Sequence, residues 1–287
     1  MTLPLLVQPA ELDALVRAVP RRVAVLDCSF DLVNPAAGRR AHEAAHVPGA
    51  RHVDLEADLS GAKTGRNGRH PLPERSDFAV RMRSFGLDDD TPVVAYDNAG
   101  GMYAARLWWM LRWAGHADVA VLDGGLAAWK AAGLEVAAGP AAVVPVGRFS
   151  LRPSLTAAVD RQALLDNLRH PARLVVDARA ADRFRGENET LDPVGGRIPG
   201  AVNRFYRDNL GPDGRFKPAL QLRADYEAVA AGRAPASLVM QCGSGVTACH
   251  NLLALELAGL SGAALYAGSW SEWSAWPGAP VATGPAV

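Results

Sequence analysis

Residues 237–259 read SLVMQCGSGVTACHNLLALELAG, and the hydrophobic period changes twice along them. SLVMQ (237–241) is a short apolar run of the length of a buried strand. CGSGVT follows as a loop with glycine at 243 and 245. Beyond it, apolar residues recur at helical spacing until Gly259 offers a stop. Strand, glycine loop and helix in that order form the repeating unit of an α/β domain. The stretch therefore predicts a mostly parallel sheet flanked by helices, with ligands at the C-terminal ends of the strands.

The same pattern is written once more, earlier in the chain. VAVLDCS (23–29), HVPGARHVD (46–54), PVVAYDNAGGMYAARLWWMLRWAG (92–115) and VAVLDGGLAAWKAAG (119–133) are answered by LVVDARA (174–180), RIPGAVNRF (197–205), the opening stretch and AALYAGSWSEWSAWPG (263–278). The offset is steady: 150 residues from Asp27 to Asp177, 151 from Gly49 to Gly200 and 145 from Asp97 to Cys242. One internal repeat at this spacing predicts two homologous domains rather than a solenoid. The domains are expected at 1–138 and 155–287, joined by a Pro- and Gly-rich linker at 139–154.

Composition agrees with two folded cores. Of 287 residues 49% are hydrophobic, and 30 basic residues balance 30 acidic ones. No global field attracts nucleic acid or an anionic membrane surface. The N-terminal run lacks a basic stretch before it, and no apolar run is long enough to span a bilayer, so a soluble protein without an export signal is expected. Three widely spaced cysteines, Cys28, Cys242 and Cys249, match neither a disulfide framework nor a four-ligand zinc site. Reduced thiols in the cytoplasm are the expectation.

Cys242 carries the chemistry. It stands between a strand and a helix N-terminus, and Gly243 and Gly245 permit backbone conformations that turn successive N–H groups toward one point. Such a loop cradles negative charge and suits a nucleophilic sulfur. A lone cysteine is otherwise a common packing residue. Glycines at a strand–helix turn have little packing purpose, which favours function here. Cys249, seven residues on among apolar neighbours, and Cys28 are expected to be buried structural thiols.

The paired domains, the VPGA and IPGA segments and CGSGVTAC resemble the tandem rhodanese family over nearly the whole chain, and CGSGVT is most similar to the loop of its 3-mercaptopyruvate sulfurtransferases. The resemblance implies two rhodanese-like domains, the first non-catalytic and the second catalytic. It implies an enzyme whose Cys242 thiolate takes sulfane sulfur from 3-mercaptopyruvate, releases pyruvate and passes the persulfide sulfur to an acceptor such as a thiol, reduced thioredoxin or cyanide. No metal and no organic cofactor is implied.

By the same resemblance Gly243, Gly245, Val246 and Thr247 form the persulfide loop, and Ser244 bonds the leaving enolate or relays a proton. Thr247 is also expected to cap the helix. Arg183, in AADRFRGE, falls where the family holds the donor carboxylate. The family's second arginine, nine residues later, meets Asp192 here; Arg197 follows nearby where a histidine is commoner. Glu56 and His70 match the first-domain carboxylate and histidine that the family brings near the loop. Asp97, opposite Cys242 in the repeat, cannot carry sulfane sulfur, so the first domain is expected to be inert and Asp97 to cap the helix at 104–113.

Three alternatives remain open. The first is a thiosulfate:cyanide sulfurtransferase, favoured by the missing arginine and opposed by the uncharged Gly243 and Ser244. The second, a cysteine phosphatase, needs an arginine six positions after the cysteine, where Ala248 stands. The third is a persulfide carrier without turnover.

Overall fold

The structure, a computed structural model, describes residues 3–18, 23–141 and 143–285. The ends of the two expected domains at residues 1 and 287 lie outside the described residues. Two compact units are present: 1–60 with 73–155 and 212–215, and 61–72 with 156–211 and 216–287. Segment 61–72, which falls in the first half by sequence position, thus packs with the second unit.

In the first unit the order is β1 (Leu6–Val7), α1 (Pro9–Ala18), β2 (Ala24–Asp27), α2 (Ala36–Ala44), β3 (Arg51–His52), α3 (Arg75–Ser84), β4 (Val93–Tyr96), α4 (Met102–Trp113), β5 (Val119–Leu122) and α5 (Gly125–Ala131). The second unit runs β6 (Ala157–Val159), α6 (Arg161–Arg169), β7 (Leu174–Asp177), α7 (Ala181–Arg185), β8 (Val202–Asn203), α8 (Ala219–Ala230), β9 (Leu238–Gln241), α9 (Thr247–Leu257), β10 (Ala264–Tyr266) and α10 (Ser269–Trp273). Among the described residues each sheet has five strands, ordered β1-β5-β4-β2-β3 and β6-β10-β9-β7-β8, and every pairing between these strands is parallel. The two orders are the same order, as the repeat requires.

Strands β2, β4, β7 and β9 are buried at every position. That is why AVLD, VVAY, LVVD and LVMQ read as continuous rather than alternating apolar runs: a parallel sheet covered on both faces leaves neither side in water. The cores lie between sheet and helices. Val25, Val94, Tyr96 and Trp129 belong to the first, and Val175, Val239, Trp270 and Trp273 to the second. No described helix is long and apolar enough to cross a membrane.

The described residues of the Pro- and Gly-rich stretch at 139–154 form no regular element but are fastened along the first unit. Gly139 N–H bonds Glu43 O at 2.7 Å, Gly147 N–H bonds Arg83 O at 2.9 Å, and Arg152 N–H bonds Ala114 O at 3.0 Å. Gly147 lies so close to the Leu87 backbone that a side chain would collide with it.

After β4 comes the loop where the repeat puts Asp97. Its buried carboxylate accepts the N–H groups of Ala99 (2.7 Å), Gly101 (2.8 Å), Tyr103 (2.8 Å) and Ala104 (2.9 Å). The aspartate therefore caps α4 and also closes its own loop, filling the N–H cradle with its own carboxylate. Replacing Asp97 by Ala leaves buried donors without an acceptor, and urea denaturation is expected to show a loss of about 3 kcal/mol or more. Asp97→Asn, which keeps one acceptor oxygen, is expected to lose less.

Candidate active site

Strand β9 delivers Cys242 to the C-terminal edge of the second sheet, where it is 2% exposed. Gly245 N–H donates to Cys242 Sγ at 3.2 Å. Gly245 has φ +77°, and a side chain there would run into the carbonyl oxygen of Ala267. Only glycine meets both demands, so the loop turns inward on the sulfur.

The other wall of the loop is the turn after β10. Ser269 Oγ accepts Cys242 N–H at 3.0 Å and donates to Tyr266 O at 2.9 Å. Trp270 N–H bonds Cys242 O at 2.9 Å, and Ser271 N–H bonds Gly243 O at 2.8 Å. Ser269 pays for this position with φ +54°, in the left-handed region. Sequence reading did not single it out, although the repeat aligns Ser269 with Gly125, whose φ is +56°. That alignment was the available signal.

Helix α9 begins at Thr247, with Val246 at the N-cap position and no side-chain cap. Thr247 is the first helical residue, so the expected capping role is not what it performs. Cys249 is buried on this helix, its Sγ donating to Gly245 O at 3.3 Å. Cys28 is buried in the first unit, where burial foremost and then the Asp97 charge push its thiol well above the ordinary value. Neither sulfur is disulfide-bonded.

Segment 61–72 rides over the cysteine loop within the second unit. His70 Nδ1 lies 2.7 Å from Ser244 Oγ, with both residues buried. Arg69 N–H donates to Ser271 Oγ at 3.0 Å, and Trp276 Nε1–H to Arg66 O at 3.0 Å. Gly68 (φ +88°) permits the close approach to Gly268 and Ser271. His70 and Ser244, 174 residues apart, are thus brought together. Glu56 belongs to the first unit and is exposed, its own N–H bonded to Asp54 Oδ1 at 2.8 Å.

Two guanidiniums flank Gly243. A Cβ at that position would stand 2.8 Å from Arg69 Nη2 and 3.7 Å from both terminal nitrogens of Arg183. Arg183 was read from sequence; Arg69 was not, though it adjoins His70 in GRHPLP. Both are anchored by buried acids. Arg183 Nη2 bonds Glu189 Oε1 at 2.8 Å and pairs with Asp192 Oδ2 at 3.4 Å, and Arg69 Nη1 bonds Asp192 Oδ1. Glu189 also pairs with Arg179 Nη1 at 3.3 Å, and Arg179 bonds Asp177, at the end of β7, at 2.7 Å. Burial raises the Glu189 carboxyl, but the Arg183 hydrogen bond, the Leu191 N–H and both arginine charges bring it below its ordinary value. For Asp192 burial prevails over the Arg69 charge and moves the carboxyl up.

Arg197 is committed elsewhere. Its guanidinium donates to Gly284 O at 2.5 Å and Pro285 O at 2.8 Å and lies 4.8 Å from the Phe184 ring centre. It fastens the C-terminal segment through the same residue whose backbone bridges to Ala282. The structure does not bring it to Gly243 with the other two arginines.

Comparison with known proteins matches the rhodanese-like domain family at residues 8–132 and 160–275. A Pseudomonas aeruginosa protein named "Probable 3-mercaptopyruvate sulfurtransferase" is 50% identical over 262 residues, covering 91% of this chain and 92% of the relative. The thiosulfate sulfurtransferase of Bos taurus is 36% identical over 255 residues, covering 87% and 84%. Among solved structures, the 3-mercaptopyruvate sulfurtransferase from Leishmania major superposes with a TM-score of 0.80 at 32% identity, over 94% of this chain and 74% of that one.

The two loop glycines predict opposite responses. Gly245→Ala forces a left-handed backbone and a backbone collision, and thermal unfolding is expected to register a loss of about 2 kcal/mol or more. Gly243→Ala meets only side-chain termini, those of Arg69 and Arg183, rather than backbone, and is expected to stay within about 1 kcal/mol of the parent.

Proposed function

The chain belongs to the rhodanese family, and from that premise we propose that it is a sulfurtransferase moving sulfane sulfur from 3-mercaptopyruvate to a thiol acceptor through a persulfide on Cys242. The observation that carries this reading is the environment of Cys242: a buried sulfur receiving Gly245 N–H, with Arg69 and Arg183 on either side of a residue that has no side chain. An uncharged loop beneath two guanidiniums suits a donor with a carboxylate at one end and sulfur at the other.

In the proposed cycle the donor carboxylate engages Arg69 and Arg183, which holds its sulfur toward Cys242. The Cys242 thiolate attacks that sulfur and forms the S–S bond. The C–S bond breaks with its electron pair moving to carbon, so pyruvate leaves as its enolate. Ser244, hydrogen-bonded to His70, is the proton relay: the hydroxyl gives a proton to the enolate carbon or oxygen, and the imidazole resupplies it with the donor thiol's proton. An acceptor thiolate then attacks the outer sulfur and restores Cys242. Thioredoxin is a fitting acceptor because it presents a reactive thiol, and a cytoplasmic location agrees with three cysteines none of which is disulfide-bonded.

Thiosulfate is the second reading for the donor, favoured by the similarity to the bovine thiosulfate sulfurtransferase. The absence of a charged side chain at positions 243 and 244 weighs against it.

Intact-protein mass tests both. Incubation with 3-mercaptopyruvate is expected to add the mass of one sulfur atom to the parent protein, with matching pyruvate release and no gain in Cys242→Ser. Loading from thiosulfate alone would transfer the proposal to the second donor, and loading from neither would remove the persulfide mechanism. Ser244→Ala and His70→Asn are each expected to lower kcat about 100-fold with KM nearly unchanged, whereas Arg183→Met is expected to raise KM about tenfold or more.

A further inference from the structure

The proposed cycle gives no part to the buried acids behind the arginines, and Asp192 is the one shared by both guanidiniums at Gly243. Asp192 stands where the resemblance leads one to expect a second arginine, and its carboxylate pairs with both guanidiniums at Gly243: with Arg69 Nη1, and with Arg183 Nη2 at 3.4 Å. The side chain of Asp192 is 2% exposed, while those of Arg69 and Arg183 are 27% and 21% exposed. The acid therefore lies behind the guanidiniums and the guanidiniums form the accessible layer. Among the described residues Asp192 is the one acid paired with Arg69. Glu189 backs Arg183 in the same way, and Arg179 is balanced by Asp177. An anion arriving at Gly243 meets two donors of well-oriented N–H groups whose positive charge is largely cancelled from behind.

Building on the sulfurtransferase reading above, we propose that Asp192 sets donor selectivity, neutralising the Arg69–Arg183 pair so that it accepts a singly charged carboxylate and disfavours a dianion. 3-Mercaptopyruvate brings one carboxylate to the pair. Thiosulfate brings two negative charges, and the second faces the Asp192 carboxylate across guanidiniums whose charge is already balanced. Discrimination of this kind works through an added repulsive element rather than through a better fit to the preferred donor. Asp192 acts through the arginines and does not itself touch the donor, so it is a positioning residue, and the charge it carries is the operative property.

The test compares the parent protein with Asp192→Asn and Asp192→Glu at constant ionic strength, measuring kcat/KM for each donor with cyanide as acceptor. Asp192→Asn is expected to raise the thiosulfate-to-mercaptopyruvate ratio about tenfold or more, and Asp192→Glu, which keeps the charge, to leave the ratio near that of the parent. A residue that only braces the loop would lower both activities together; an unchanged ratio in Asp192→Asn therefore overturns the assignment. Should Asp192→Asn fail to fold, the parent protein answers by protection of Cys242 against iodoacetamide. Pyruvate, a monoanion, protecting at lower concentration than sulfate supports the proposal, and sulfate protecting as well or better overturns it. Sulfur loading of Cys242 in the parent, followed by mass, separates the two levels. No loading from either donor ends the sulfurtransferase reading and this inference with it, while normal loading with an unchanged ratio ends only the role of Asp192.

Discussion

A ladder of alternating charge holds the candidate site together: Asp177, Arg179, Glu189, Arg183, Asp192 and Arg69. It starts on the last residue of β7, passes through the loop after α7 and ends on the segment before His70. The side chain of each acid in it is 3% exposed or less, and each carboxylate is met by at least one guanidinium. Breaking its fully buried part, where Arg179 meets Asp177 and Glu189, leaves an uncompensated charge out of water at a cost of about 3–5 kcal/mol. The ladder thus does two things at once. It pins a long irregular loop to the sheet, and it holds Arg183 and Arg69 beside Gly243.

The two units show how one backbone plan is put to different ends. Both place a loop at the C-terminal end of the central strand, β4 or β9, and follow it with a helix. Asp97 fills the first loop with its own carboxylate, which takes four N–H groups at once. In the second loop the residue is a cysteine whose sulfur takes Gly245 N–H. A carboxylate that takes four N–H groups of its own loop is a structural plug; the sulfur in that place takes one N–H at 3.2 Å. The neighbouring turn diverges alongside it, with Ser269 supplying a hydroxyl to Cys242 N–H where Gly125 has none.

Several features were legible in the linear pattern because they depend on neighbours along the chain. The apolar runs, the glycine loop and the repeat determine strands, turn and helix, and with them the parallel sheets and the position of Cys242 at a strand end. Hydrogen bonds beyond the local segment were not legible in this way. Arg197 looked like a substitute for the missing arginine by proximity in sequence, yet its guanidinium is taken by carbonyls 87 and 88 residues away. Arg69 drew no notice, since a single arginine in a loop carries no periodicity.

The sequence by itself determined the class of fold, the duplication and the place of Cys242 in a glycine loop at a strand end, all consequences of hydrophobic period and glycine placement. Tertiary structure alone decided which charges share the site. It carried segment 61–72 onto the second unit, set His70 against Ser244, and turned Asp192 from an apparent loss of positive charge into the buried counterion of two arginines. The physical reason is range: backbone propensity acts over a few residues, whereas the pairing of a buried charge depends on whichever partner the folded chain delivers.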